Sequence, residues 1–205
     1  MGRPGTKGTT MTVAVIGTGK IGSTLARAFA AADLETVLGS RDPSAVTGAP
    51  VKVVTVAEAL AGADTVVFAQ PGTAVDEFLA EHGPALDGRL FVDAANRLTE
   101  PVQHSAAQVA ERAPGARYAR AFSSQGVEVF AAPVIGGTVS DHLFSTAEQD
   151  RAAVEELISA VGLRPVYLGP DQYELVDRAL WIWFRLAVAQ GHGRHSGFRL
   201  LTDQD

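Results

Sequence analysis

The chain has 205 residues, 46% of them hydrophobic and 20% charged, enough for one domain with a real core and a small annex. Seventeen basic against 23 acidic side chains leave a net charge of −6, which argues against a nucleic-acid or anionic-membrane surface. The absence of cysteine excludes disulfides, thiolate metal sites and a cysteine nucleophile.

Residues 1–10, MGRPGTKGTT, are Gly-, Thr- and Pro-rich without apolar periodicity, and a disordered tail is expected there. Arg3 and Lys7 are not followed by an apolar stretch, so no signal peptide is expected, and Met11 opens the first ordered strand. Thr12–Ile16 is a short β-branched run ending in glycine, the pattern of a buried strand. Ile21, Leu25, Ala28 and Phe29 then recur at helical spacing as far as Ala32. Strands are predicted over Thr36–Leu38, Val51–Thr55 and Thr65–Ala69, the last closed by Gln70–Pro71–Gly72, with a short helix over Ala57–Ala61. A helix over Thr73–His82, a strand over Leu90–Val92 ending at Asp93, a helix over Ser105–Arg112 and a strand over Tyr118–Phe122 complete the run. Such alternation means parallel strands with crossover helices, a doubly wound α/β sheet over residues 11–130.

Residues 131–205 read as a small C-terminal α/β part, with strands over Thr138–Ser145 and Pro165–Leu168 and a helix over Glu148–Val161. The longest predicted helix, Asp171–Gln190, is apolar nearly all round from Ala179 on, with Arg185 alone interrupting it. Burial against a second copy, giving a homodimer, is the expectation; burial against the sheet of one monomer is the alternative. No apolar run approaches the ~20 residues of a membrane span, and a cytoplasmic protein is expected. His192 and His195 lie at helical spacing, but no carboxylate sits at metal-site spacing beside them, so no metal is expected.

VAVIGTGKIGSTLARAF carries Gly17, Gly19 and Gly22 in a G-x-G-x-x-G pattern between a strand and a helix. Gly17 permits the tight turn, Gly19 lets the backbone approach a pyrophosphate, and Gly22 lets the helix pack close to the strand. The first-turn N–H groups and the positive helix end then face the anion. The alternative is a tight turn without a ligand. Roughly 20 residues on, where an acid binds the ribose diol of NAD, the strand ends in Gly39, Ser40 and Arg41. Ser40 offers one hydrogen bond and Arg41 a planar fork to a 2′-phosphate, so NADP(H) is the expected cofactor, with Asp42 required to turn away. The alternative is that Arg41 is a solvated loop charge.

GTGKIG, VLGSRDPS, VDAANRL, ARAFSSQGVEVFAAPVIGG and RALWIWFRLAVAQGHGRHSGFRLL occur in this order. Together they resemble the NADP-dependent oxidoreductases that work with the deazaflavin coenzyme F420. The resemblance runs from about Met11 to the C-terminus; the Gly-Ser-Arg turn and the tryptophan-containing final helix are its more specific parts. It implies a dimeric Rossmann protein that moves a hydride between NADP(H) and the deazaflavin, with no catalytic acid or base of its own. It also implies that Gly17, Thr18, Gly19, Lys20 and Ile21 hold the pyrophosphate and that Ser40 and Arg41 hold the 2′-phosphate. By the same resemblance Gln70, Pro71, the Ala94–Asn96 turn and the Phe122–Gln125 turn with Ser123 line the nicotinamide pocket, although ordinary strand-end caps account for those turns equally well.

Three departures lie near the expected hydride acceptor. Asn96–Arg97–Leu98 stands where the family often has Asn-Pro-Leu, Ser123 where it often has Asn, and Gly72 where an aromatic often follows the proline. An NADPH-dependent reductase of another flavin, imine or carbonyl therefore stays open, as does a non-catalytic NADP-binding sensor. A sensor would fill the space beside the nicotinamide with Arg97 or with the helix carrying Trp181 and Trp183.

Overall fold

A computed structural model describes residues 11–203; the tail expected over residues 1–10 lies outside the described residues. Ten strands and seven helices follow in chain order: β1 Thr12–Ile16, α1 Lys20–Ala31, β2 Glu35–Ser40, β3 Val53–Thr55, α2 Val56–Ala61, β4 Thr65–Phe68, α3 Val75–His82, β5 Leu90–Asp93, α4 Ala106–Arg112, β6 Arg117–Arg120, α5 Val127–Ala131, β7 Val134–Ile135, β8 Thr138–Val139, β9 Asp141–Thr146, α6 Arg151–Ala160, β10 Arg164–Tyr167 and α7 Tyr173–Phe184.

Eight strands form one sheet in the order β10-β9-β6-β5-β4-β1-β2-β3, and β7 pairs with β8 in a separate hairpin. The side chains of β1 explain the layering. Val13 and Val15 enter a core shared with Leu25 and Phe29 of α1, while Ala14 and Ile16 enter the opposite core with Leu60, Phe68 and Phe78. A strand buried on both faces has no polar side to offer, which is why the run is continuously apolar. The strand order reverses between β1 and β4, and such a switch point opens a crevice beyond the carboxyl ends of the strands.

The C-terminal strands extend the same sheet. β9 pairs antiparallel with β6, and β10 runs parallel to β9, so one junction departs from the expected all-parallel order. The single strand expected over Thr138–Ser145 is broken at Ser140, whose N–H bonds to the Pro133 carbonyl, 2.9 Å. The strand expected over Tyr118–Phe122 stops at Arg120 because Phe122 turns left-handed, with φ of 59°.

The long, all-round apolar helix expected over Asp171–Gln190 is not found. Asp171 has φ of 57° and stays outside; α7 ends at Phe184, and one π-helical turn, Arg185–Ala189, follows. Only one stripe of this segment is buried, with Val176, Leu180, Trp183 and Ala187 on it. Trp181 is 46% exposed and Ile182 56%, and Phe184, Leu186 and Val188 are exposed with them. The reason is that the segment docks on β9 by one face, and among the described residues nothing covers the other.

Candidate functional site

The residues singled out from the sequence collect along one edge of the sheet, at the carboxyl ends of β1, β2, β4, β5 and β6. The glycine loop follows β1. Gly17 has φ of 127°, and a Cβ there would lie 2.6 Å from the Ala69 carbonyl oxygen. At Gly22 a Cβ would lie 1.9 Å from the Gly17 carbonyl oxygen, so the helix start and the loop touch through glycine alone. Gly19 differs: a Cβ there would meet nothing within 4 Å. It is the N-cap of α1 and has no side chain with which to cap it, so the first N–H groups of the helix face outward from a bare backbone. Thr18 accepts a hydrogen bond from Ser23 Oγ at its carbonyl, 3.1 Å; Lys20 is exposed beside it and Ile21 is half-buried.

At the end of β2 the position of the expected acid is closed by packing. A Cβ on Gly39 would lie 2.7 Å from Ile16 Cδ1 and 3.3 Å from Ala59 Cβ. Arg41 is exposed, with no ion pair or hydrogen bond among the described residues. Asp42 has indeed turned away. Its Oδ1 accepts from the Ser44 N–H at 3.1 Å, the Ser44 hydroxyl at 2.6 Å and the Ala45 N–H at 3.3 Å. The Ser44 hydroxyl, with the Ala45 and Ser44 amides, holds the exposed Asp42 carboxyl below its usual pKa, so it is ionised but occupied. Ser40 Oγ accepts the Asp42 N–H at 3.2 Å, which leaves its own proton to donate. Arg41 and Gln70 share a small recess with Val56, Phe78 and His82.

Pro71 is exposed at the end of β4. Gly72 packs against the β5 turn so tightly that a Cβ would lie 2.4 Å from the Asn96 carbonyl oxygen, which accounts for the absence of a larger side chain there. Ala94 is buried; Asn96 is half-buried and donates its amide N–H to the Ser123 carbonyl at 2.9 Å. Arg97 Nη1 lies 3.5 Å from Asp76 of α3. The hydroxyls of Ser123 and Ser124 are buried without a partner among the described residues, a cost of about 1–3 kcal/mol each unless a ligand or water meets them. Trp183 packs against Gly126 and donates its indole N–H to the Ser196 carbonyl at 2.7 Å, whereas Trp181 stands exposed beside Pro101 and Val102.

Two groups of side chains support this edge from below. The Phe122 N–H donates to His142 Nε2 at 2.7 Å, and His142 Nδ1 lies 3.0 Å from Gln125 Oε1. Nε2 is therefore the acceptor and Nδ1 carries the proton. The ring is fully buried, stacked on Phe122 with centroids 5.2 Å apart, and burial pushes its pKa down to about 3. The second group surrounds Arg120, which is 0% exposed and meets Asp93 and Asp177. Burial opposes its charge, but Asp93, Tyr118 and Asp177 more than offset this, and the guanidinium holds its proton more tightly than usual. Burial, reinforced by the Asp93 charge, keeps Tyr118 protonated, and its hydroxyl donates to Asp93 Oδ2 at 2.7 Å.

Residues 12–97 match the family model described as NADP oxidoreductase, coenzyme F420-dependent. The resemblance to that family is shown. A crystal structure from Arthrobacter sp. FB24, provisionally described as an F420-dependent NADP reductase, aligns with a TM-score of 0.79 at 25% identity, covering 94% of this chain and 100% of that one. A hypothetical protein from Sinorhizobium meliloti aligns at 29% identity and TM-score 0.69, covering 95% of this chain and 97% of its own. A reductive aminase from Aspergillus terreus, solved with NADPH4, cyclohexanone and allyl amine, shares the fold at TM-score 0.65 and 21% identity; this chain covers 61% of it and is itself covered to 89%. Curated proteins give no match. Residues 12–97 are thus similar to NADP-dependent oxidoreductases, and that segment contains the glycine loop, Arg41, Pro71 and Asn96.

The supporting residues Arg120, Asp177 and His142 escaped the sequence reading. Arg120 did leave a signal, since a charged residue inside a central strand demands buried partners. Nothing local in the sequence names Asp177 or His142 as those that hold the turns.

Proposed function

We propose that this protein is an NADP-dependent oxidoreductase that moves a hydride between NADP(H) and the deazaflavin coenzyme F420. The observation that carries the cofactor half is Arg41, exposed and unpaired at the end of β2 while Asp42 is tied into the following turn. The open face of Gly19 and the uncapped start of α1 fit the pyrophosphate, with Thr18, Lys20 and Ile21 around it. Ser40 and Arg41 fit the 2′-phosphate, with Arg41 at the rim of a recess lined by Val56, Ala74 and Phe78 together with Gln70, Glu77, Glu81 and His82. Gln70, Pro71, Ala94, Asn96 and Ser123 fit the nicotinamide end.

A nicotinamide held there would donate or accept the hydride. The residues around it bind, orient and exclude water, and no side chain at this edge is assigned a proton to move. Catalysis of this kind rests on holding two rings face to face at the right distance. The family match over residues 12–97 and the Arthrobacter structure support the deazaflavin as acceptor. The Arg97–Asp76 pair supports an enzyme over a sensor, because it draws the guanidinium toward α3. The acceptor-side departures at Arg97 and Ser123 favour, as second reading, reduction of another flavin, imine or carbonyl. A homodimer formed over the exposed Trp181, Ile182 and Phe184 face belongs to the same proposal, since apolar patches of this kind are rare on monomers; light scattering that gives a monomer at micromolar concentration overturns it.

The deciding experiment is NADPH oxidation with a panel of deazaflavin, flavin, imine and carbonyl acceptors. Turnover with the deazaflavin is expected. Turnover with an imine or carbonyl alone moves the function to the second reading, and NADPH binding without turnover moves it to a sensor.

A further inference from the structure

Asn96 has a defined orientation, and the group that sets it is not in the crevice. Its amide N–H reaches the Ser123 carbonyl at 2.9 Å, and its Oδ1 accepts from Arg120 Nη2 at 2.7 Å. The same guanidinium donates from Nη1 to the Asp93 carbonyl at 3.2 Å and to the Ala95 carbonyl, and from Nε to Asp177 Oδ1 at 2.8 Å. One planar fork thus holds the end of β5, the Asn96 side chain and a carboxylate from α7. A lysine has neither the donors nor the geometry to do this.

The two carboxylates have their other lone pairs filled. Asp93 Oδ1 takes the Ala95 N–H at 3.0 Å, and Oδ2 takes the Ser105 N–H at 2.9 Å and the Tyr118 hydroxyl. Asp177 Oδ2 takes the His104 N–H at 3.1 Å. No donor of Arg120 is left for a ligand, and its side chain is fully buried. A charged cluster buried this completely stabilises little compared with an apolar core, so its presence calls for another account.

We propose that Arg120 is a positioning residue for the nicotinamide end of the crevice: anchored by Asp177 of α7, it fixes Asn96, and through Asn96 the Ser123 turn, in the orientation that seats the ring. This rests on reading the crevice as an NADPH site. It makes α7, whose exposed face lies outside the crevice, part of the machinery that shapes the pocket.

The test uses full-length wild type, Arg120→Lys and Asp177→Asn. Calorimetric titration with NADPH reports the whole cofactor, and the gain in reduced-nicotinamide fluorescence reports the ring alone. Both variants are expected to bind NADPH within about threefold of wild type, because the glycine loop and Arg41 are untouched. Arg120→Lys is expected to lose most of the fluorescence gain and, with the acceptor that wild type reduces, about 10- to 100-fold in kcat at unchanged KM for NADPH. Asp177→Asn is expected to show the same split, more weakly. A folded Arg120→Lys with wild-type fluorescence and kcat overturns the proposal, as does a loss of affinity that tracks the loss of fluorescence. If Arg120→Lys fails to fold, Asp177→Asn decides by the same readouts. Absence of NADPH binding by wild type overturns the cofactor reading itself, a result distinct from the other two.

Discussion

At the glycine-loop end of the crevice the shape is made by main chain. Gly17, Gly19 and Gly22 lie within six consecutive positions, and the side chains of Thr18, Lys20, Ser40 and Arg41 beside them are exposed or half-buried. At the Asn96 end the shape is made by buried side chains from β5, β6, β9 and α7, held by hydrogen bonds between residues as far apart as Arg120 and Asp177. The first end needs only room and exposed N–H groups to hold an anion. On the proposed reading the second must hold a ring at a fixed angle, and a turn of backbone without buried anchors lacks that stiffness. One crevice therefore carries a local, main-chain half and a distant, side-chain half.

Acid should separate the two most strongly. His142 is neutral in the fold with its pKa near 3, against 6.5 when unfolded. Between these values the unfolded chain takes up a proton that the folded chain refuses, so stability is full above pH 6.5 and falls as pH drops toward 3. The loss amounts to about 5 kcal/mol over the window. Urea unfolding from pH 7 to pH 4 measures it, and His142→Gln is expected to flatten the slope by about one proton. An unchanged slope shows that His142 is not the group held neutral in the fold.

Gly22→Ala strikes the other half. Its Cβ would fall 1.9 Å from a backbone oxygen. Overpacking of this kind costs about 3 kcal/mol, and NADPH binding should be lost with it. Thermal unfolding beside a fluorescence titration checks both, and a variant with wild-type affinity shows that the loop has another way to pack.

These contrasts also explain what was legible beforehand. The glycine pattern and Arg41 are contiguous, so their geometry follows from a short stretch of chain, and the alternation of strand and helix is equally local. Arg120 and Asp177 are 57 positions apart, and their pairing depends on how α7 docks after β9 has reversed direction. The length of the final helix was misread for a related reason. The apolar run from Ala179 carries no mark of the π-helical turn after Phe184, and it does not say which face the rest of the chain will cover; the left-handed turn at Asp171 lies ahead of it.

Arg41→Ala should have the smallest effect on the protein and a selective one on its ligand. The side chain touches nothing that holds the fold, so the melting temperature should not move. NADPH should bind about 10- to 150-fold more weakly, the equivalent of about 1.5–3 kcal/mol for a charged hydrogen bond, while NADH is nearly unaffected. Equal losses for both, read by titration, remove Arg41 from the phosphate site.

The reversal of β9 has a consequence for the order in which the protein is made. Because β9 runs against β6, its first residues, not its last, lie at the crevice, and this is how His142 reaches Phe122. A nascent chain that has emerged only as far as Ala131 already possesses the glycine loop, Arg41 and Asn96, yet lacks both His142 and Asp177. The anion-holding end is thus complete in sequence while the ring-seating end still awaits its anchors. The ribosome delivers the two halves of one crevice at different times, and the later one sets last.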